Sequence, residues 1–477
     1  MKKTAALFAT SGVLLAGAIA IDLWSRFMAG HSSTTPPPPP PPKPTPVASA
    51  QSALLLGDLV TADVALMNSY VLAGAPAEVF VRVDLTAKDV SGRVRAPMAL
   101  AVVIDRSGSM AGEKIERARA SAKELVGRLD PRDQIALISY ATDVSVDLPL
   151  TSATERARIE RVIDQIFDGG GTNISGGLEA GLAELDRARN QGLVSRVVLL
   201  SDGNANQGIV EPRALGRIAQ EARQRGITVS SLGLGLDFNE DVMTMLAENG
   251  GGTYHYIRDA AQITVALDDE LRGMTALAAR RVGVQLNLAP GAVVTDVYGY
   301  GFEKQGSGRD VMVPIGDMAS GSKRRVVFRI ALGSVAPGAI PLSGVALEYV
   351  PAEGSTSDLS RFSGALSVVA TDDAAQLRAG ERADVGATVA AILAADARRS
   401  AAVDFSSGNR GAAVDRLRRN MIETRAKASR YNSPELFEQL RELEGAAQSA
   451  AAADLNSEEG RDFVKSEKYK ARKIFAY

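Results

Sequence analysis

Met98-Ala99-Leu100-Ala101-Val102-Val103-Ile104-Asp105-Arg106-Ser107-Gly108-Ser109-Met110 is the stretch whose reading decides the fold. Val102, Val103 and Ile104 read as a strand buried on both faces, the pattern of a parallel sheet covered by helices. The strand ends in a carboxylate, and two hydroxyls follow at alternating positions. That spacing lets Asp105, Ser107 and Ser109 point from one tight loop toward one place. All three offer hard oxygen donors, the kind that suits Mg2+. An acidic-serine turn is common, so a metal site requires further donors from elsewhere in the chain.

Working outward, residues 112–129 place Ile115, Ala118, Ala122, Leu125, Val126 and Leu129 on one helical face, and Asp130-Pro131-Arg132-Asp133 breaks the helix. Residues 134–140 and 144–148 read as strands, and 154–167 as a helix striped by Ile159, Val162, Ile163 and Ile166. Asp168-Gly169-Gly170-Gly171-Thr172-Asn173-Ile174 follows; its glycines permit left-handed backbone and close approach. Ser175 is placed to cap a helix beginning at Gly176. Residues 196–200 form a strand that also ends near a carboxylate, Ser201-Asp202-Gly203-Asn204. Helix, strand, short helix, strand and closing helix then alternate to residue 274. This alternation predicts a doubly wound, mostly parallel α/β sheet. Ligands of such sheets gather beyond the carboxyl ends of the strands. The loops carrying Asp105, Thr172 and Asp202 can therefore meet there.

With these residues in place, residues 97–269 resemble the von Willebrand factor A domain. The metal-ion-dependent adhesion site of that family is Asp-x-Ser-x-Ser, then a threonine, then an aspartate. The matching residues are Asp105-Arg106-Ser107-Gly108-Ser109, Thr172 in Gly-Gly-Gly-Thr-Asn, and Asp202 in Leu-Leu-Ser-Asp-Gly-Asn. The resemblance implies that Ser107, Ser109 and Thr172 are hydroxyl ligands of a divalent cation. Asp105 and Asp202 would supply charge, partly through water, and one position would await a partner's Asp or Glu carboxylate. Mg2+ is the expected ion, with Mn2+ or Ca2+ as alternatives. Asn173 and Ser175 are expected to cap or support.

Composition bounds the rest. The 477 residues suffice for two or three domains. A net charge of -2 gives no basic footprint for nucleic acid. The chain lacks cysteine, which excludes disulfides, thiolate zinc sites and cysteine nucleophiles. Its two histidines, His31 and His255, cannot build a multi-histidine site within one chain, and His255 is expected to be packed or at the surface. Residues 1–30 carry Lys2 and Lys3 before an apolar stretch, which predicts an export signal or, preferred here, an uncleaved membrane anchor. Residues 31–50 include the run Pro36 to Pro42 and read as an extended linker. Residues 51–96 contribute strands, notably the alternating Val79-Phe80-Val81-Arg82-Val83-Asp84-Leu85; residues 273–371 read as an antiparallel β-sandwich. The early strands are too few to stand alone, so they are expected to join the sandwich, with the α/β domain (97–272) inserted in it. Residues 384–453 are expected to be helical, packed on the sandwich, and 454–477 a charged, solvated tail.

These readings converge on a non-enzymatic, cation-dependent protein-binding module of the cell envelope, facing the periplasm or outside, or secreted. The resemblance also admits an accessory subunit of an ATP-driven chelatase or AAA-type complex, although the chain has no GxxxxGK[ST] motif. A structural scaffold with a vestigial metal site is a further alternative. A seryl hydrolase is disfavoured, because neither histidine is placed near the Asp105 loop.

Overall fold

The computed structural model describes residues 52–90, 96–188, 191–275, 277–306, 308–352 and 358–475. The expected signal or anchor and the proline run lie outside them. Among the described residues no helix is long and apolar enough to cross a membrane.

The described residues begin with β1 (Ser52–Leu56), β2 (Val60–Leu66), β3 (Tyr70–Leu72) and β4 (Ala77–Ala87). An α/β block follows: β5 (Met98–Asp105), α1 (Glu113–Arg128), β6 (Gln134–Tyr140), β7 (Val144–Ser152), α2 (Arg156–Asp164), α3 (Ile174–Asp186), β8 (Val194–Ser201), α4 (Pro212–Gln224), β9 (Ile227–Leu234), α5 (Glu240–Gly250), β10 (Gly251–Ile257) and α6 (Ile263–Thr275). The chain returns to strands with β11 (Leu277–Leu288), β12 (Ala292–Tyr298), β13 (Glu303–Gln305), β14 (Asp310–Ala319), β15 (Lys323–Leu332), β16 (Gly338–Pro351) and β17 (Ser360–Thr371). Helices α7 (Ala374–Ala379), α8 (Ala383–Ser406), α9 (Arg410–Tyr431), α10 (Pro434–Ala452) and α11 (Glu458–Phe475) complete it.

The α/β block is a six-stranded sheet in the order β10-β9-β8-β5-β6-β7, parallel except for β7 at one edge. All eight residues of β5 are buried, as a central parallel strand requires. Its alternation sorts them between two cores. Met98, Leu100, Val102 and Ile104 face α1, α2 and α6, whereas the smaller Ala99, Ala101 and Val103 face α3, α4 and α5. The small residues let α3 pack closely: a Cβ on Gly181 would come within 2.8 Å of Val103.

The flanking strands form two facing sheets, β1-β2-β4-β15-β12 and β13-β14-β11-β16-β17-β3, around one shared core. β4 precedes the α/β block and β15 follows it, yet they pair antiparallel with Val83 opposite Val326. The α/β domain is thus an insertion in the sandwich. Residues 454–477, expected as a solvated charged tail, include instead the docked helix α11. Phe463, Glu467, Ala471 and Phe475 recur every fourth residue and are buried on one face. The basic residues obscured that stripe because lysine stems lie along apolar surface while their heads find partners. Ala471 and Phe475 join Val385, Val389 and Ile392 of α8 against Phe80, Val327 and Tyr298 on the outside of the sandwich.

Candidate metal centre

The centre lies beyond the carboxyl ends of β5 and β8, where three loops are stitched together by backbone. Arg106 N–H donates to Tyr140 O at 2.8 Å, Gly169 N–H to Arg106 O at 2.7 Å, and Gly108 N–H to Gly170 O at 3.1 Å. Gly169 and Gly170 have φ of 151° and 88°. The latter is a left-handed value that glycine adopts freely and that permits this close approach to the Asp105 loop. On the other side, Asn206 N–H donates to Thr172 O at 3.0 Å, and Thr172 N–H donates to Asn206 Oδ1 at 2.8 Å.

Within this frame the five sequence-predicted residues come together. Asp105 is fully buried; Oδ1 accepts from Ser107 N–H at 2.8 Å and Oδ2 from the Ser201 hydroxyl at 2.6 Å. Ser107 Oγ lies 3.1 Å from Ser109 Oγ, and Ser109 Oγ donates to Asp202 Oδ1 at 2.7 Å. Thr172 reaches the same spot: a Cβ built on Gly203 would lie 3.3 Å from Thr172 Oγ1 and 3.4 Å from Ser109 Oγ. Three hydroxyls and two carboxylates therefore share one small region at the sheet's edge. Among the described residues no three His, Cys, Asp or Glu cluster as a metal site, so the donor set is rich in hydroxyls and poor in charge. Such a set suits a hard, octahedral cation that keeps some of its water.

The electrostatics fit a cation. Burial pushes the Asp105 carboxyl above the usual aspartate value, and the charge of Asp202 adds to it; hydrogen bonds from Ser107 and Ser201 oppose both. Beneath them, burial drives the Tyr140 phenol well up, helped by the Asp105 charge, so it stays neutral and donates to Leu200 O at 3.1 Å. Two carboxylates at one buried spot repel each other unless a positive charge joins them. The neighbouring cation is Lys114 in the first turn of α1, whose ammonium donates to Asp202 Oδ2 and, at 3.2 Å, to Ser109 O.

Sequence reading missed four supporting residues. Ser201 and Asn206 flank Asp202 in a run of turn-forming residues, a signal visible only once their targets are known. Lys114 sits five residues after Ser109, in the first turn of α1. Thr142, whose Oγ1 accepts from Gly171 N–H at 2.7 Å, had no sequence signal. The expected cap of α3 also moves: Asn173, not Ser175, caps it, accepting from Gly176 N–H at 3.0 Å, while Ser175 Oγ donates to Asn173 Oδ1 and accepts from Ile209 N–H. His255 is a packed residue of β10, which β9 and β8 separate from β5, and it is bonded to Glu270.

A doubly wound sheet with this hydroxyl-rich cluster at its carboxyl edge is the arrangement of a von Willebrand factor type A domain. Residues 99–269 match the model of the von Willebrand factor type A domain, and the chain carries that domain. It is 32% identical over 272 residues to the protein YfbK of Escherichia coli (strain K12), covering 55% of this chain and 47% of that one. It is 30% identical over 186 residues to inter-alpha-trypsin inhibitor heavy chain H4 of Homo sapiens, covering 37% of this chain and 20% of the relative. The chain thus spans about half of YfbK and a fifth of the heavy chain. A von Willebrand factor type A structure from Catenulispora acidiphila covers 90% of this chain and 99% of its own, with a TM-score of 0.66 at 16% identity. That likeness extends the shared fold to the flanking sandwich.

Proposed function

We propose that this chain is a non-enzymatic protein-binding module of the cell envelope that captures its partner through a divalent cation. Mg2+ is the favoured ion, with Mn2+ and Ca2+ as alternatives. Ser107, Ser109 and Thr172 would hold the ion through their hydroxyls, with Asp105 and Asp202 supplying charge. The ion's remaining position would accept an Asp or Glu carboxylate of the partner. One observation carries this reading: all five donors converge from separate loops, around two carboxylates with few compensating charges. Neutral hydroxyl ligands leave the ion electropositive, which favours an added anionic ligand. A seryl nucleophile finds no support, since the hydroxyls here bond to carboxylates and to each other, while His255 bonds to Glu270. The N-terminal segment would hold the module at the membrane or export it.

The test compares the full chain with Ser109→Ala, a small change that spares the backbone contacts. Titration calorimetry should show Mn2+ and Mg2+ binding by the wild type, weakened at least about tenfold in the variant, as expected for losing one ligand that also orders Asp202. Envelope proteins should then be retained by the wild type in Mg2+ and released by chelator. Retention that is equal in chelator and in S109A would refute the reading.

A further inference from the structure

Asp202 has no exposed side-chain surface, and both of its carboxylate oxygens are engaged. Oδ1 takes the Ser109 hydroxyl, and Oδ2 takes the Lys114 ammonium. The lysine is an unusual neighbour for two reasons. It lies in the first turn of α1, where the exposed N–H groups make the helix end positive and disfavour a cation. It also contributes positive charge to a spot whose proposed occupant is itself a cation. The Lys114 side chain remains one-third exposed, so it approaches Asp202 from the solvent side on a flexible four-carbon stem. It rests near the end of β9, where a Cβ on Gly235 would stand 3.9 Å from its Nζ.

We infer that Lys114 is a tethered counter-ion that competes with the divalent cation for Asp202. This rests on the proposed metal site and assigns a regulator to it. With the ammonium in place, the pair Asp105 and Asp202 carries a net charge of one unit rather than two, and the second oxygen of Asp202 is occupied. The ammonium stabilises the cation-free site against repulsion between its two carboxylates. Filling the site then requires Lys114 to swing outward, which lowers cation affinity and shifts occupancy to higher cation concentration. A metal-free domain would otherwise hold two unneutralised buried carboxylates, an expensive arrangement. The lysine gives the fold a stable cation-free form.

The experiment uses the full chain as wild type, Lys114→Met and Lys114→Arg, with Mn2+ alone as the probe in titration calorimetry. Methionine keeps the stem and removes the charge; arginine keeps the charge. K114M should bind Mn2+ about 10- to 100-fold more tightly than wild type, whereas K114R should stay within about threefold of it, as expected when one close charge is removed or kept. In chelator K114M should melt below wild type, and saturating Mn2+ should raise its melting temperature by more than it raises that of wild type. Binding in K114M alone, with none in wild type, is the extreme form of the same result. Equal or weaker Mn2+ affinity in K114M overturns the competition and leaves the metal site intact. If no variant binds Mn2+, the metal site itself fails and the competition fails with it.

Discussion

Glu270→Gln tests the physics that holds the α/β sheet and its candidate metal site together. Glu270 projects from α6 into the sheet, where it accepts from Arg196 Nη1 at 2.7 Å on β8, Ser230 Oγ at 2.6 Å on β9 and His255 Nε2 at 2.7 Å on β10. One carboxylate thus braces three adjacent strands against the closing helix. Burial alone would raise this carboxyl; the Arg196 charge, the hydrogen bond and charge of His255 and the Ser230 hydroxyl outweigh it and hold it at about 2, against an ordinary 4.5. A depression of that size corresponds to roughly 3 kcal/mol of stability at neutral pH. Glutamine keeps the volume but leaves the Arg196 guanidinium buried without its counter-charge, a loss of about 3–5 kcal/mol when one partner of a buried pair is removed. At about 2–4 °C per kcal/mol for a domain of this size, E270Q should melt ~6–20 °C below wild type at pH 7 in calorimetry. The sign of the pH dependence follows from the depressed carboxyl. Its contribution is complete above the unfolded value near 4.5 and drains away as pH falls toward 2. The gap between E270Q and wild type should therefore narrow between pH 5 and pH 3. A gap under about 1 °C at pH 7, or one that stays constant into acid, would refute the assignment of Glu270 as a charged brace.

Asp105→Asn should match or exceed wild type in melting temperature when chelator is present, because it removes a buried charge that Asp202 repels while keeping an acceptor for Ser107 N–H. The same variant should gain no stability from Mg2+, and a Mg2+-induced rise equal to that of wild type would count against the site. Gly177→Ala should destabilise the chain by about 1–2 kcal/mol in urea titration, since its Cβ would lie 2.6 Å from the buried Tyr140 ring and this overpacking exceeds the helix gained. An unchanged urea midpoint would mean that α3 can move away from β6.

The parallel sheet and the convergence of the five candidate residues were legible because each rests on a local signal. A continuous apolar run marks β5, a carboxylate marks the end of its strand, and three glycines mark the loop that must approach it. What lay beyond reach depends on contacts between distant residues. Asn206 matters because Thr172 N–H needs an acceptor, and only the folded loops show which side chain provides it. Glu270, Arg196 and His255 are separated by up to 74 positions and join only when α6 closes on the sheet. Helix α11 was missed for a related reason. Its apolar stripe is thin, and its burial relies on Lys465, whose Nζ donates to Phe238 O at 2.8 Å and lies 3.7 Å from the centre of that ring. No local pattern announces that a lysine will be spent on a backbone carbonyl more than two hundred residues away.

That contact also joins the C-terminal helix to the loops of the candidate site. Asn204, two residues beyond Asp202, donates through Nδ2 to Asp237 O at 2.8 Å. Asp237 in turn accepts from Arg461 of α11 at 2.6 Å, and Phe238 beside it is held by Lys465 of the same helix. Tyr256 at the end of β10 donates to Asp462 at 2.9 Å. The same helix continues to Phe475, which packs on the sandwich. An inserted domain is tethered at its two ends alone, and on that basis it could tilt against its host about two short connections. Helix α11 adds a third attachment at the rim where the site lies, and it spans both bodies as one rigid rod. The orientation of the candidate site relative to the sandwich is therefore fixed by helix α11 together with the two connections and with direct contacts such as Gln220 Nε2 to Glu303 Oε1 at 3.0 Å, where two connections alone would leave a hinge axis.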